Sequence, residues 1–290
     1  MQRDFAIVTD SSCDLPKEMA MQMELTVVPL QVNLNGDSFP DTKPHVTIHE
    51  FYDALRNGAV ATTSAPGTQA FVDAITPMLE AKKDILILSF SSALSGACNA
   101  ARLAAEELRE KFPDSSIFQI DTLCASLGQG LLLTHAFRKR IAGWNVQRVA
   151  EYIEDTKQHL CHLFTVDDLM FLRRGGRISA ATAAFGTLLN IKPFMHMDDG
   201  GHLTAIGKVR GRKAALRAMA ERMRDTATEP FGEREAYISH GDCEEDAHLL
   251  TKMIREIAGA KDVTIGNVGP VIGSHSGPGT LALFFTASGR

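Results

Sequence analysis

The sequence contains no C-x-x-C pair, and its five cysteines (13, 98, 124, 161 and 243) are scattered and odd in number. That argues against a disulfide framework or a zinc site, and fits reduced thiols in a cytoplasm. No run approaches the roughly 20 apolar residues of a membrane span. The opening stretch MQRDFAIVTDSS has no extended apolar segment after its charges, so a secretory signal is not expected. Excess positive charge is missing too. The 30 Lys+Arg against 35 Asp+Glu leave a formal net charge of −5, which argues against nucleic acid as a partner. Internal repeats and low-complexity segments are absent. What remains is an ordinary globular composition, 44% hydrophobic and 22% charged over 290 residues. That is enough chain for one large α/β domain or two medium ones.

The first half alternates strand and helix. "FAIVTDSS" reads as a buried strand entering a polar turn, and "ELTVVPLQVNLNG" as a β-rich run. "DILILSFSS" has the unbroken apolar character of a central parallel strand covered on both faces. A helix of the form NAARLAAEELREKF follows, then the strand SIFQIDT and the helix SLGQGLLLTHAFRKRIA. This rhythm predicts a doubly wound parallel sheet. Past LCHLFTVDDL the texture changes. "IKPFMHMDDGGHLTAIGKV" reads as a hairpin around an Asp-Gly turn, and the remaining strands mix hairpin and crossover connections. The expected architecture is α/β with two domains, 1–160 on a parallel sheet and 161–290 on a mixed one, with a ligand site between them.

Several polar turns could carry chemistry. Hydroxyl-rich loops follow three N-terminal strands, at Asp10-Ser11-Ser12, at Ser91 through Gly96, and at Asp121-Thr122. Open α/β sheets bind ligands outside the carboxyl ends of their strands, although such residues also simply cap helices. "TTSAPGTQAF" (62–71) opens a helix, with Ser64 or Thr68 as the expected cap. A helix N-terminus with hydroxyls also suits an anion. Ser95-Gly96 follows a buried strand but belongs to neither the G-x-S-x-G elbow nor a Walker loop. Arg173, Arg174 and Arg177 flank Gly175-Gly176 in the pattern of a helix C-cap, although Arg177 lies beyond the break. Lys208, Arg210, Arg212, Lys213 and Arg217 read as a basic helix start. "VIGSHSGPGT" (271–280) sets His275 between Ser274 and Ser276 in a glycine-rich turn. Sequence alone leaves it open as a base for a nucleophile or a polar grip on a ligand.

In order, "VTDSSCDL", "TTSAPGTQAF", "SFSSALSGACNAA", "FTVDDLMFLRRGGRIS", "LLNIKPFMHMDDGGHL", "KVRGRKAA" and "VIGSHSGPGT" span nearly the whole chain. Together they resemble the DegV family of bacterial fatty-acid-binding proteins. The resemblance implies a doubly wound N-terminal domain, a C-terminal domain on a mostly antiparallel sheet, and a long-chain fatty acid buried between them. It implies a carrier and not an enzyme, one that presents the bound acid to a separate kinase for acyl-phosphate formation. No cofactor, metal or catalytic residue is implied. Transient contact with a membrane surface suits such a carrier.

By this resemblance Thr63, Ser95 and His275 hold the carboxylate, with Ser64, Gly96 and Ser276 beside them. Arg177, with Arg173 and Arg174, belongs to the kinase-docking surface. The chain departs from the family at Ala65, where glutamine is usual, at Ala97, where threonine is common, and at Ser274 and Ser276, where threonines are often seen. Burying about 14 methylenes at ~0.8 kcal/mol each gives roughly 11 kcal/mol before ordering costs, which only an apolar tunnel captures. Phe185, Leu188, Leu189, Ile191, Phe194, Ile272 and Phe284 are the expected lining. The rival from another class is a serine hydrolase using Ser95 and His275, which requires an acid to orient the imidazole. A third reading, a small-anion sensor, requires a compact polar pocket.

Overall fold

The computed structural model describes residues 3–179 and 190–290. Three sheets organise them. The first is parallel, in the order β2-β1-β6-β7, built from β1 (Phe5–Asp10), β2 (Thr26–Val28), β6 (Asp84–Ser89) and β7 (Ile117–Asp121). All six residues of β1 and of β6 are buried, as expected of strands sandwiched between helix layers. Those layers are α3 (Thr68–Glu80) and α4 (Ala97–Lys111) on one face, α5 (Leu127–Ile141) and α6 (Val146–Thr156) on the other. Each fully buried Ile or Leu of β6 contributes roughly 1.5–3 kcal/mol.

A small antiparallel sheet, in the order β4-β3-β5, sits beside this layer: β3 (Gln31–Leu34), β4 (Asp37–Pro40) and β5 (Ala61–Ser64). The run ELTVVPLQVNLNG therefore divides, with β2 joining the parallel sheet and β3 this one. Short α1 (Lys17–Gln22) and α2 (Ile48–Arg56) complete the half. α2 is closed by a capping box between Thr47 and Glu50.

From residue 160 onward one six-stranded sheet dominates, in the order β10-β9-β8-β13-β11-β12. Its strands are β8 (Leu160–Thr165), β9 (Ile191–Met197), β10 (Leu203–Arg210), β11 (Arg234–His240), β12 (Ala260–Asn267) and β13 (Leu281–Thr286). All pairings are antiparallel except β11 with β12. The hairpin around Asp199-Gly200 is present as β9 and β10. The basic run divides: Lys208 and Arg210 end β10, Gly211 turns at φ +91°, and α8 (Arg212–Thr226) starts only at Arg212. α8 and α9 (Glu244–Ala258) cover one face of this sheet. The other face meets α5 and α6, so one apolar cluster runs from Phe5 and Leu86 through Leu131 to Phe164 and Phe284. The two halves share a core.

Two short helices complete the set. α7 (Met170–Arg174) ends at Gly175, with Gly176 left-handed at φ +73°, the expected glycine C-cap. α10 (Pro270–Ser276) is a helix where a glycine-rich turn was expected. Pro270 occupies its first turn, and Ser274 Oγ donates to the Pro270 carbonyl at 2.6 Å. Among the described residues no helix is long and apolar enough to cross a membrane.

Candidate functional site

The carboxyl ends of the parallel strands are held by Asp10. Its buried carboxylate accepts from the Ser12 amide at 3.1 Å and the Phe90 amide at 2.8 Å, tying β1 to the loop after β6. Burial raises its pKa, and the two amide donors oppose that. The loop so fixed carries Ser95, whose Oγ accepts from the Ala97 amide at 3.2 Å in the first turn of α4. Gly96 faces Ala65, where an added Cβ would lie 3.9 Å from the Ala65 Cβ, so the Ser95 turn and the 62–67 turn are neighbours. Gly67 is the N-cap of α3 and makes no side-chain cap bond. The expected cap at Ser64 or Thr68 is not used.

Thr63 lies on β5, opposite Val32 of β3. Its Oγ1 is 2.7 Å from Nε2 of His275, which α10 delivers from the far half of the chain. Thr63, Ser95 and His275 all line one cavity, as does Ser276, whose buried Oγ has no hydrogen-bond partner among the described residues. Ser64 and Gly96 are exposed and stand outside its wall. The cavity spans about 750 Å³ of space between the side chains, part of it open to solvent. Apart from this polar mouth its walls are mainly apolar. Phe90, Leu94, Met197, Leu203 and Ile272 form one side, and Phe164, Leu172 and Phe284 another.

Two of the expected tail residues, Ile272 and Phe284, are on this wall. Two are not. On β9 the alternation of the pleat turns Met195 and Met197 inward and sends Phe194 to the opposite face, against the α8–α9 layer. Ile191 shares the inward face but sits six residues from Met197, roughly 20 Å along the strand. Phe185, Leu188 and Leu189 lie outside the described residues.

The arginines also divide. Arg173 and Arg174 are exposed on α7, with the Arg174 guanidinium 4.8 Å above the Phe171 ring. Arg177 is half-buried and lines the cavity. Its Nε donates to the Leu94 carbonyl at 3.2 Å and its Nη1 to the Gly175 carbonyl. No carboxylate pairs with it among the described residues, and burial lowers its pKa. A guanidinium expected on the docking surface therefore faces the ligand space. The sequence signal was its position beyond the helix C-cap, where a dipole-complementing role fails.

The imidazole of His275 is held down to a pKa of about 4, first by burial and then by the Arg177 and Arg174 charges. It is neutral at pH 7. Its Nδ1 is buried without a polar partner among the described residues and abuts Gly175, where a Cβ would lie 2.3 Å away. Among the described residues no acid approaches Nδ1, so the orienting third member that a hydrolytic triad needs is missing. One group has metal-ligand geometry among the described residues: His49, Asp53 and Asp242. There Arg56 already pairs with both carboxylates, at 2.9 and 2.5 Å, and supplies the positive charge.

Fold and cavity define a class first: an α/β binding protein with a polar, cation-flanked mouth on an otherwise mostly apolar cavity. The chain belongs to the DegV family, since the model described as "Uncharacterised protein, DegV family" matches residues 4–288. It is 42% identical over 284 residues to a DegV domain-containing protein of Clostridium perfringens, covering 98% of this chain and 97% of that one. Among solved structures it is similar to a DegV family protein from Thermus thermophilus described by its fatty acid binding. That likeness has a TM-score of 0.85 and 32% identity, over 99% of this chain and 100% of that one. A DegV lipid binding protein from Thermotoga maritima matches with a TM-score of 0.86 and 29% identity over 99% of both chains.

Proposed function

We propose that this protein binds one long-chain fatty acid, with the carboxylate held by Thr63, Ser95 and His275 and the tail in the apolar cavity. The observation that carries the reading is the meeting of Thr63 and His275, 2.7 Å apart, at the mouth of a cavity with mainly apolar walls. A carboxylate at pH 7 requires donors and no general base. Two hydroxyls and an imidazole N–H provide charge-assisted hydrogen bonds, and Arg177, with no carboxylate partner among the described residues, adds a positive field. The Thermus and Thermotoga relatives, described as binding fatty acid and lipid, support the same ligand class.

The bound acid is presented to a partner kinase. A carboxylate oxygen attacks the terminal phosphate of the kinase's nucleotide, the bridging P–O bond breaks, and the nucleoside diphosphate leaves with an acyl phosphate formed. Exposed Arg173 and Arg174 on α7 are the docking cations, and Arg177 links that surface to the head group. Residues 1–160 and 161–290 act as two domains, each contributing part of the head-group site. Neither the hydrolase nor the small-anion reading fits as well, because among the described residues His275 has no orienting acid and most of the cavity wall is apolar.

Denaturing the purified protein and identifying the released lipid by mass spectrometry tests the reading. One equivalent of a long-chain fatty acid is expected. A protein that releases none, and takes up none when fatty acid is added, defeats it.

A further inference from the structure

The cavity follows one face of β13. Thr280, just before the strand, and Ala282 and Phe284 within it line the wall at every second position, as the pleat dictates. Thr280 Oγ1 reaches the Ser276 carbonyl at 3.0 Å and the Gly277 carbonyl at 2.8 Å, which fixes that end beside His275. Phe284 lies four residues on, roughly 14 Å deeper at ~3.4 Å per residue. On the neighbouring strand His162 pairs with Phe284 and Phe164 with Ala282, and both extend the same wall. The next residues inward, Leu160 and Thr286, are not part of it.

At this depth the His162 and Phe284 rings meet edge to face, centroids 5.1 Å apart at 87°. Gly128, in the first turn of α5, presses on both. A Cβ there would lie 2.1 Å from His162 Nε2 and 2.8 Å from Phe284 Cδ1, against the 3.4 Å or more of an ordinary contact. His162 Nδ1 lies 3.1 Å from the Leu160 carbonyl and so carries the proton, leaving Nε2 a bare acceptor without a polar partner among the described residues. The ring is buried, anchored through Nδ1 and pinned against helix backbone.

We propose that Gly128, His162 and Phe284 form a stop that sets the longest acyl chain the protein retains. The proposal rests on the fatty-acid reading and names a specificity determinant within it. A side chain at 128 forces the rings more than 1 Å toward the cavity and shortens it, whereas truncating His162 deepens it.

The test loads delipidated protein with an equimolar series of saturated fatty acids of increasing length. The retained chains are then identified by mass spectrometry. Gly128→Ala shifts the retained distribution toward shorter chains, and His162→Ala toward longer ones. Unchanged lengths in both variants, with fatty acid still bound, overturn the stop while leaving the fatty-acid reading intact. Wild-type protein that retains no fatty acid overturns both. If Gly128→Ala fails to fold, His162→Ala and Phe284→Leu decide alone: both lengthen the retained chains, and unchanged lengths in those two refute the stop.

Discussion

Gly175→Ala tests the head-group site without removing a single polar atom. Gly175 has φ −72° and ψ −10°, ordinary right-handed values that alanine adopts freely, so the backbone is unstrained. The added methyl would lie 2.3 Å from His275 Nδ1, and clearing an ordinary contact requires a displacement of more than 1 Å. That motion pulls Nε2 out of its 2.7 Å approach to Thr63 Oγ1. The carboxylate then loses one charge-assisted hydrogen bond, about 1.5–3 kcal/mol. Affinity falls roughly 10- to 150-fold, at about 1.4 kcal/mol per decade. Gly176→Ala is the control. Its Cβ meets nothing within 4 Å, but φ is +73°, so it costs about 1–2 kcal/mol of stability and no affinity. Displacement of a fluorescent fatty acid measures the first effect and thermal melting the second. Wild-type affinity in Gly175→Ala, or an equal loss in Gly176→Ala, refutes the assignment of His275.

Ser95→Ala removes a head-group donor and also the acceptor for the Ala97 amide, so weaker fatty-acid retention with a lowered melting temperature is expected. Retention equal to wild type would take Ser95 out of the site. Arg173→Ala with Arg174→Ala should leave lipid retention intact and slow phosphorylation by the kinase, because both guanidinia are exposed. Lipid loss in a retention assay would contradict that. Asp41 is pushed up to about 7, chiefly by burial, from an ordinary value of 3.8. A carboxyl raised in the folded state favours its protonated form there. The stability that Asp41 contributes is therefore fully present below about pH 4, is lost as pH rises toward about 7, and changes little beyond. Asp41→Asn should flatten that slope in melting curves taken across this range, and an unchanged slope would assign the pH dependence elsewhere.

Long, strongly periodic segments were legible: the buried runs of β1 and β6, the helices α4 and α5, and the hairpin β9–β10 all lie where their patterns place them. Short elements were not. β4 and β5 are four residues each, too brief to show alternation, and β5 reads as hydroxyl-rich loop because it carries hydroxyls on both faces, Thr62 and Ser64 exposed and Thr63 half-buried. α10 was hidden by Gly273 and by the glycines that flank it at 269 and 277, all three in close packing. At Gly273 a Cβ would lie 2.6 Å from the Tyr52 hydroxyl. At the site, motif order singled out Thr63, Ser95 and His275, and the fold brings all three to one cavity. Arg177 was assigned outward by the family resemblance alone, and its position beyond the C-cap was the local sign that a surface role did not suit it. The wall residues Phe164, Leu172, Met197 and Leu203 went unmarked, since period-2 burial does not distinguish a core facing protein from one facing a ligand. His162 is a single histidine in the apolar run LCHLFT, and only the β8–β13 register reveals its place at the cavity's end.

The central claim is that the three side chains converge on a carboxylate. A crystal structure of the protein loaded with a saturated long-chain fatty acid tests it most directly. Carboxylate oxygens are expected within hydrogen-bonding reach of Thr63 Oγ1, Ser95 Oγ and His275 Nε2, with the tail inside the apolar walls. A carboxylate bound elsewhere, or a tail lying outside the cavity, would contradict it.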